Sequence, residues 1–209
     1  VYFASGRDRQ AAAMVTASHN PPEYNGIKLC RAGAQGISLD TGLGQIRDRA
    51  AELLDQGVGE HALRSPLPRT DVLADYGAFL LGLVDLSGIR PLRIVVDAAN
   101  GMAGYTVPAV LGRENLPIQL IELYFEVDGT FPNHEANPLE PENLRDLQEA
   151  VRVHQADLGL AFDGDADRCF VVDERGEPVS PSVIGAMVAR REIARVRHQL
   201  GEDQPTILH

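Results

Sequence analysis

Three short apolar runs at regular intervals constrain this chain more than any other feature. "LRIVVDAA" (Leu92 to Ala99), "PIQLIELY" (Pro117 to Tyr124) and "DLGLAF" (Asp157 to Phe162) are each the size of a strand. Between the first two lies "GYTVPAVLGREN" (Gly104 to Asn115), which reads as a short helix. Before the third comes a long polar loop, "EVDGTFPNHEANPLEP" (Glu126 to Pro141). Then Leu144, Leu147, Val151 and His154 stand at helical spacing, with Pro141 near the first turn. Strand–helix–strand–helix–strand predicts right-handed crossovers and a mostly parallel sheet, a βαβαβ unit of an α/β domain over roughly residues 90–176.

The flanks add less. "AAAMVTA" (Ala11 to Ala17) reads as a buried strand running into a polar loop, and "NGIKLC" (Asn25 to Cys30) as a turn feeding a second strand. "GQIRDRAAELLDQG" (Gly44 to Gly57) predicts a helix closed by Gly57. "RSPLPRTD" (Arg64 to Asp71) has the look of a linker. From Thr70 or Asp71 a further helix should carry Val72, Tyr76, Phe79, Leu80 and Leu83. "CFVVDERGEPV" (Cys169 to Val179) predicts a hairpin turned at Arg175-Gly176, and a helix from Pro181 to about Gln199 opens a unit that is not completed. The chain begins at Val1 without an initiator Met and ends in "PTILH", a strand cut short, so we expect a piece of a longer protein.

Bulk properties exclude several classes. A formal net charge of −11 argues against nucleic acid and anionic membrane surfaces as partners. A small anionic substrate remains compatible, because clustered cations or a metal can reverse the field in one cleft. The longest apolar run, "FLLGLV" (Phe79 to Val84), is far too short to cross a bilayer. No secretory signature opens the chain. Two cysteines, Cys30 and Cys169, make no disulfide framework; we expect buried thiols and a cytoplasmic location.

Chemistry concentrates in two segments. In "FDGDADRCF" (Phe162 to Phe170), Asp163, Asp165 and Asp167 alternate directly after the third strand, where open α/β sheets bind ligands. In a flat strand such carboxylates would lie about 6–7 Å apart. That is too wide for one Mg²⁺, whose oxygen ligands sit about 2.1 Å from the ion. The segment must therefore curl, which the small Gly164 and Ala166 permit. Without a cation the three carboxylates would raise one another's pKa, and a hard divalent ion removes the conflict. A solvated acidic turn fits poorly between two apolar strands. An EF-hand loop would want Gly at Arg168 and a helix on each side. A haloacid-dehalogenase-type site, with Asp163 as an aspartyl nucleophile, would want Thr or Val at Asp167.

The second segment is "VTASHNPPEYNGIK" (Val15 to Lys28), a polar loop holding a hydroxyl, an imidazole and an ammonium. Alone, Ser18 beside Asn and Pro is ordinary turn chemistry. It lacks the G-x-S-x-G elbow of a hydrolase, and His19, its immediate neighbour, is not obviously placed to take its proton.

Together, "TASHNPPEYNGIKL" and "DGDADR" resemble the α-D-phosphohexomutase family, the bacterial phosphomannomutase/phosphoglucomutase enzymes, and "VVDAANGMAG" and "DGTFPNHEANPLEPENL" resemble its second domain. The resemblance implies a partial multi-domain phosphohexomutase architecture. Residues 1–66 would be the C-terminal part of domain 1, 67–176 domain 2, and 177–209 the start of domain 3. It implies that Ser18 is the phosphoserine, that Asp163, Asp165 and Asp167 hold Mg²⁺ with an oxygen on Ser18, and that Arg168 contacts the phosphoryl group. Lys28 and His19 are the implied proton carriers.

The implied reaction interconverts hexose 6-phosphate and hexose 1-phosphate of mannose or glucose through a 1,6-bisphosphate, which also primes the serine. The implied partner is a small phosphosugar. Three carboxylates and a phosphoserine carry about −5, and Mg²⁺, Arg168 and Lys28 return about +4, which suits phosphoryl transfer. Phosphoglucosamine mutase is a close alternative within the family. An aspartyl-phosphate phosphotransferase using Asp163 and a non-catalytic Mg²⁺ module are alternatives outside it. The family's sugar-hydroxyl and phosphate-binding loops lie beyond this stretch, so the isolated chain is expected to be inactive or nearly so.

Overall fold

Residues 1–57, 68–86, 88–201 and 205–206 are described by the computed structural model, and they fall into two units. The first comprises Val1–Ala17 and Glu23–Asp85; the second comprises Ser18–Pro22 and Leu86–His209. The linker expected at Arg64–Asp71 and the strand expected in "PTILH" lie largely outside the described residues.

The first unit runs α1 (Tyr2–Asp8), β1 (Ala12–Val15), β2 (Ile27–Arg31), β3 (Gln35–Gly36), a π-helical turn at Leu39–Leu43, α2 (Gly44–Asp55) and α3 (Leu73–Gly82). Its strands pair antiparallel in the order β1-β2-β3, with Met14 opposite Lys28. Gly33 (φ 74°) and Ala34 (φ 60°) make the tight turn between β2 and β3. Buried Ser5 ties that turn to α1. Its hydroxyl accepts from Ala34 N–H at 3.0 Å and shares its proton between the carbonyls of Gln10 and Arg31, at 2.7 and 2.9 Å. Phe3 packs against Tyr76 and Phe79, bringing α3 onto α1. Neither α1 nor β3 was expected from the sequence, since seven and two residues are too few to show a period.

The second unit contains β4 (Leu92–Asp97), α4 (Ala103–Val110), β5 (Ile118–Leu123), a 3₁₀ turn at Pro141–Leu144, and α5 (Arg145–His154). It continues with β6 (Leu158–Phe162), β7 (Cys169–Val172), β8 (Pro178–Val179) and α6 (Pro181–Leu200). The sheet order is β5-β4-β6-β7-β8. β4 is parallel to both β5 and β6, while β7 and β8 add antiparallel. The expected α/β fold with a mostly parallel core is therefore present. It carries an antiparallel edge because the acidic loop is a reversal rather than a crossover.

Successive residues of β4 face opposite sides, and both sides are covered. Ile94 and Val96 pack with Ala103 and Val107 of α4, while Val95 packs with Leu147 and Val151 of α5. Each fully buried side chain of this kind contributes about 1.5–3 kcal/mol. This three-layer core fixes the carboxyl ends of β4 and β6 side by side. α4 stops at Val110 rather than near Asn115, and α3 begins at Leu73 rather than at Thr70 or Asp71, whose carboxylate instead accepts from Leu73 N–H at 2.9 Å. Cys30 is buried as expected. Cys169 is exposed, because it opens β7 at the mouth of the loop. Among the described residues no helix is long and apolar enough to cross a membrane.

Candidate functional site

The acidic loop, residues 163–168, joins β6 to its antiparallel neighbour β7, and Phe162 faces Cys169 across its base. Six residues close the reversal because Asp163 bonds most of it. The N–H of Asp163 donates to the carbonyl of Arg168 at 3.3 Å, and that of Ala166 donates to the carbonyl of Asp163 at 3.0 Å. Asp163 Oδ1 accepts from the backbone N–H of both Asp167 and Arg168, each at 3.1 Å. Ala166 adopts φ 58°, a left-handed conformation that costs an L-residue about 1–2 kcal/mol. The curl demanded by the alternating aspartates is thus achieved by a carboxylate acting as its own scaffold.

Oxygens of Asp163, Asp165 and Asp167 lie within 4.8 Å of one another. Asp163 is fully buried. Its Oδ2 receives the Arg168 guanidinium at 2.9 Å from Nε and 2.7 Å from Nη2. The same guanidinium stands 3.8 Å from Asp167. Three hard oxygen donors converging beside the Arg168 guanidinium fit a divalent ion such as Mg²⁺ or Mn²⁺ better than a soft metal.

Ser18 meets this loop although it is 145 residues away in sequence, and residues 18–22 pack with the second unit. Its Oγ lies 3.2 Å from Asp163 Oδ2 and 3.4 Å from Asp165 Oδ1, and accepts from Arg168 Nη2 at 3.1 Å. Ser18 itself is left-handed, φ 56°. Strain of this kind persists where the surroundings over-determine a conformation.

The approach is possible because position 164 has no side chain. A Cβ on Gly164 would sit 2.3 Å from the carbonyl oxygen of Ser18. The glycine that seemed from sequence to serve curvature therefore serves contact as well. His19 Nδ1 lies 2.5 Å from Arg168 Nη2. A guanidinium has no acceptor, so Nδ1 is the accepting nitrogen of this contact. Lys28 lies on β2 in the first unit, opposite Met14.

The loop is also backed by residues that carry no chemical signal in the sequence. Met102 N–H donates to the carbonyl of Gly164 at 2.9 Å. A Cβ on Gly101 would come within 2.7 Å of that same oxygen. Ala136, buried, lies 3.5 Å from where a Gly164 Cβ would stand. The signal was present in "ANGMAG" and "NHEANP", but glycine and alanine announce close approach only once the neighbouring chain is known.

Residues 74–176 match the family model described as phosphoglucomutase/phosphomannomutase, alpha/beta/alpha domain II, and residues 1–55 match that for alpha/beta/alpha domain I. The chain belongs to the phosphoglucomutase/phosphomannomutase family. Among its relatives is a phosphomannomutase of Escherichia coli, 44% identical over 196 residues, covering 90% of this chain and 42% of that protein. The chain thus spans about two fifths of the length of the curated relatives it matches.

A solved phosphoglucomutase/phosphomannomutase family protein from Burkholderia thailandensis matches with a TM-score of 0.73 at 34% identity, over 88% of this chain and 38% of that one. Aspergillus fumigatus N-acetylphosphoglucosamine mutase, solved in complex with GlcNAc-6P and magnesium, shares the fold at 15% identity. Its TM-score is 0.51, over 93% of this chain and 50% of its own. In this chain the serine, the aspartate trio and the arginine that stood apart in sequence form one cluster within the second unit.

Proposed function

We propose that this chain supplies the phosphate-carrying serine and the metal loop of a phosphohexomutase that interconverts hexose 6-phosphate and hexose 1-phosphate. The observation that carries the proposal is the position of Ser18 Oγ, 3.1 Å from Arg168 and 3.2 Å from Asp163. An alcohol held between a guanidinium and an aspartate cluster is suited to carrying a phosphoryl group, whose oxygens need neutralising positive charge. A cation held by Asp163, Asp165 and Asp167 would supply that charge as a Lewis acid.

Arg168 is the chain's own contribution to the same end. Already hydrogen-bonded to Ser18 Oγ, it is positioned to meet the oxygens of a phosphate esterified there. Asp163, with both oxygens engaged, holds Arg168 and the loop in place. In the first transfer the Ser18 Oγ–P bond breaks while a sugar hydroxyl oxygen bonds to phosphorus and loses its proton. In the second, the other phosphate of the resulting 1,6-bisphosphate returns to Ser18 Oγ. His19 and Lys28 are the proposed proton carriers. For His19 the hydrogen bond from Arg168 to Nδ1 directs exchange to Nε2. A hexose 1,6-bisphosphate primes the serine.

Mannose and glucose phosphates are the proposed substrates, supported by relatives named phosphomannomutase and phosphohexose mutases. We further propose the division into residues 1–66, 67–176 and 177–209 as parts of domains 1, 2 and 3, and a cytoplasmic location. A phosphotransferase using Asp163 is less well supported. Attack on phosphorus needs an open, in-line approach, whereas Asp163 is fully buried, with Oδ1 on two backbone N–H groups and Oδ2 on the Arg168 guanidinium, surroundings that leave room for a small cation rather than for a phosphoryl group.

Incubation of the complete enzyme with labelled hexose 1,6-bisphosphate followed by phosphosite mapping tests the reading. We expect an acid-stable phosphate on Ser18 that Ser18→Ala abolishes. A labile acyl phosphate on Asp163, or labelling indifferent to Ser18→Ala, overturns it.

A further inference from the structure

Behind the acidic loop lies a polar network with no part in the scheme above. Asp97 and Asn100, 1% and 4% exposed, stand at the carboxyl end of β4 and, with Asp163, are the buried polar side chains of the second unit among the described residues. Asp97 Oδ1 accepts from Ala99 N–H at 2.8 Å, and its Oδ2 lies 3.0 Å from His134 Nε2. The other ring nitrogen of His134 lies 2.9 Å from the carbonyl oxygen of Glu135. Both nitrogens thus face acceptors, the arrangement an imidazolium satisfies.

Asn100 is held from four directions. Its N–H donates to the Tyr124 carbonyl and its own carbonyl accepts from Asp128 N–H, both at 2.9 Å. Its Nδ2 donates to the Glu126 carbonyl and its Oδ1 accepts from Asn133 Nδ2, both at 2.8 Å. Such investment has a structural reason. Ala99 and Asn100 are both left-handed, with φ of 46° and 56°, and two such residues in succession need outside support. The reward comes at the next two positions, where Gly101 and Met102 take hold of Gly164, while Ala136 reaches the same glycine from the 126–140 loop.

We propose that His134 on Asp97 and Asn133 on Asn100 lock the 97–102 turn and the 126–136 loop into a buttress that positions the Asp163–Gly164–Asp165 turn for cation binding. The inference rests on the reading that the aspartate trio holds a divalent ion. Three neighbouring carboxylates repel and tend to splay, so a loop that must present them together before the ion arrives needs backing on its far side. Asp97, Asn100, Asn133 and His134 are positioning residues. They act through Gly101, Met102 and Ala136 on Gly164.

The test is a Mn²⁺ titration of the protein, read by the electron paramagnetic resonance signal of the free ion. The variants are Asp165→Asn, His134→Ala, His134→Gln and Asn133→Ala, each checked for folding by circular dichroism. Wild type should bind and Asp165→Asn should lose binding. His134→Ala and Asn133→Ala should bind about tenfold more weakly, the lower end of what outer-shell losses cost a metal site. His134→Gln, whose amide can still donate to Asp97, should recover most of the affinity.

Wild-type affinity in folded His134→Ala and Asn133→Ala overturns the inference alone. Absence of binding in the wild type, or binding unaffected by Asp165→Asn, overturns the metal reading and the inference with it. Should His134→Ala fail to fold, Asn133→Ala decides, since Asn133 is exposed and enters the network through one hydrogen bond.

Discussion

Three aspartates of the same chemistry hold three different positions. Asp163 is fully buried, Asp165 half-buried and Asp167 exposed. Asp163 combines backbone N–H donors, a guanidinium and the serine hydroxyl on one carboxylate. Its replacement should therefore damage the fold, whereas that of Asp165 should damage only the site. We expect Asp163→Asn to lower stability to urea by about 2 kcal/mol, below the figure for a fully buried ion pair because Arg168 keeps 30% of its side chain accessible. Asp165→Asn should stay within about 0.5 kcal/mol of wild type while losing metal affinity. Equal destabilisation in the two variants would contradict this division of labour.

His134 adds a pH dependence at the same scale. Burial pulls its pKa down, but the hydrogen bond and charge of Asp97 outweigh it, with help from the Glu135 carbonyl and the charge of Asp146. Tyr124 packs edge-on to the ring. The net folded-state pKa is raised above 6.5. The pair therefore stabilises fully below the unfolded value near 6.5, and that stabilisation is lost as pH rises through the folded one. Thermal melting of wild type against His134→Gln should show a wild-type advantage at pH 6 that shrinks towards alkaline pH. An advantage that grows with pH would reverse the sign.

At the level of elements, α5 illustrates what the sequence period specifies. Leu144, Leu147 and Val151, picked out by spacing, are all buried, while His154, on the same list, is exposed at the end of the helix. Leu147 is 0% exposed and touches the core shared with Val95 and Val172. Leu147→Ala should cost about 2–5 kcal/mol, read as a fall in the denaturant midpoint of the second unit. The 126–141 segment shows the opposite case. It has no period, and polar residues such as Asn133 and His134 read as ordinary loop chemistry, because what each bonds is set by β4 and not by its neighbours in sequence.

For the whole molecule, the distinction is between a folded unit and a complete enzyme. The second unit has cores on both faces of its sheet and contains the serine, the trio and the arginine. Its relatives are more than twice as long, and phosphoryl transfer depends on groups that hold both ends of the sugar phosphate. We expect the 209-residue chain to bind Mn²⁺ yet to turn over hexose phosphates at a negligible rate in a coupled assay. Rates equal to those of a full-length relative would refute this.

The amino-acid sequence by itself determined the alternation of strands and helices, the curled acidic loop and its carboxylates, because strand and helix periods and like-charge repulsion act over a few neighbouring residues. That Ser18 shares a site with Asp163 came from the family resemblance; only the tertiary structure decided that Gly164 is small to admit the serine's carbonyl, that Cys169 is exposed and that His134 bonds Asp97. These depend on which strand ends the sheet order brings side by side, and no local pattern encodes a contact between residues 145 positions apart.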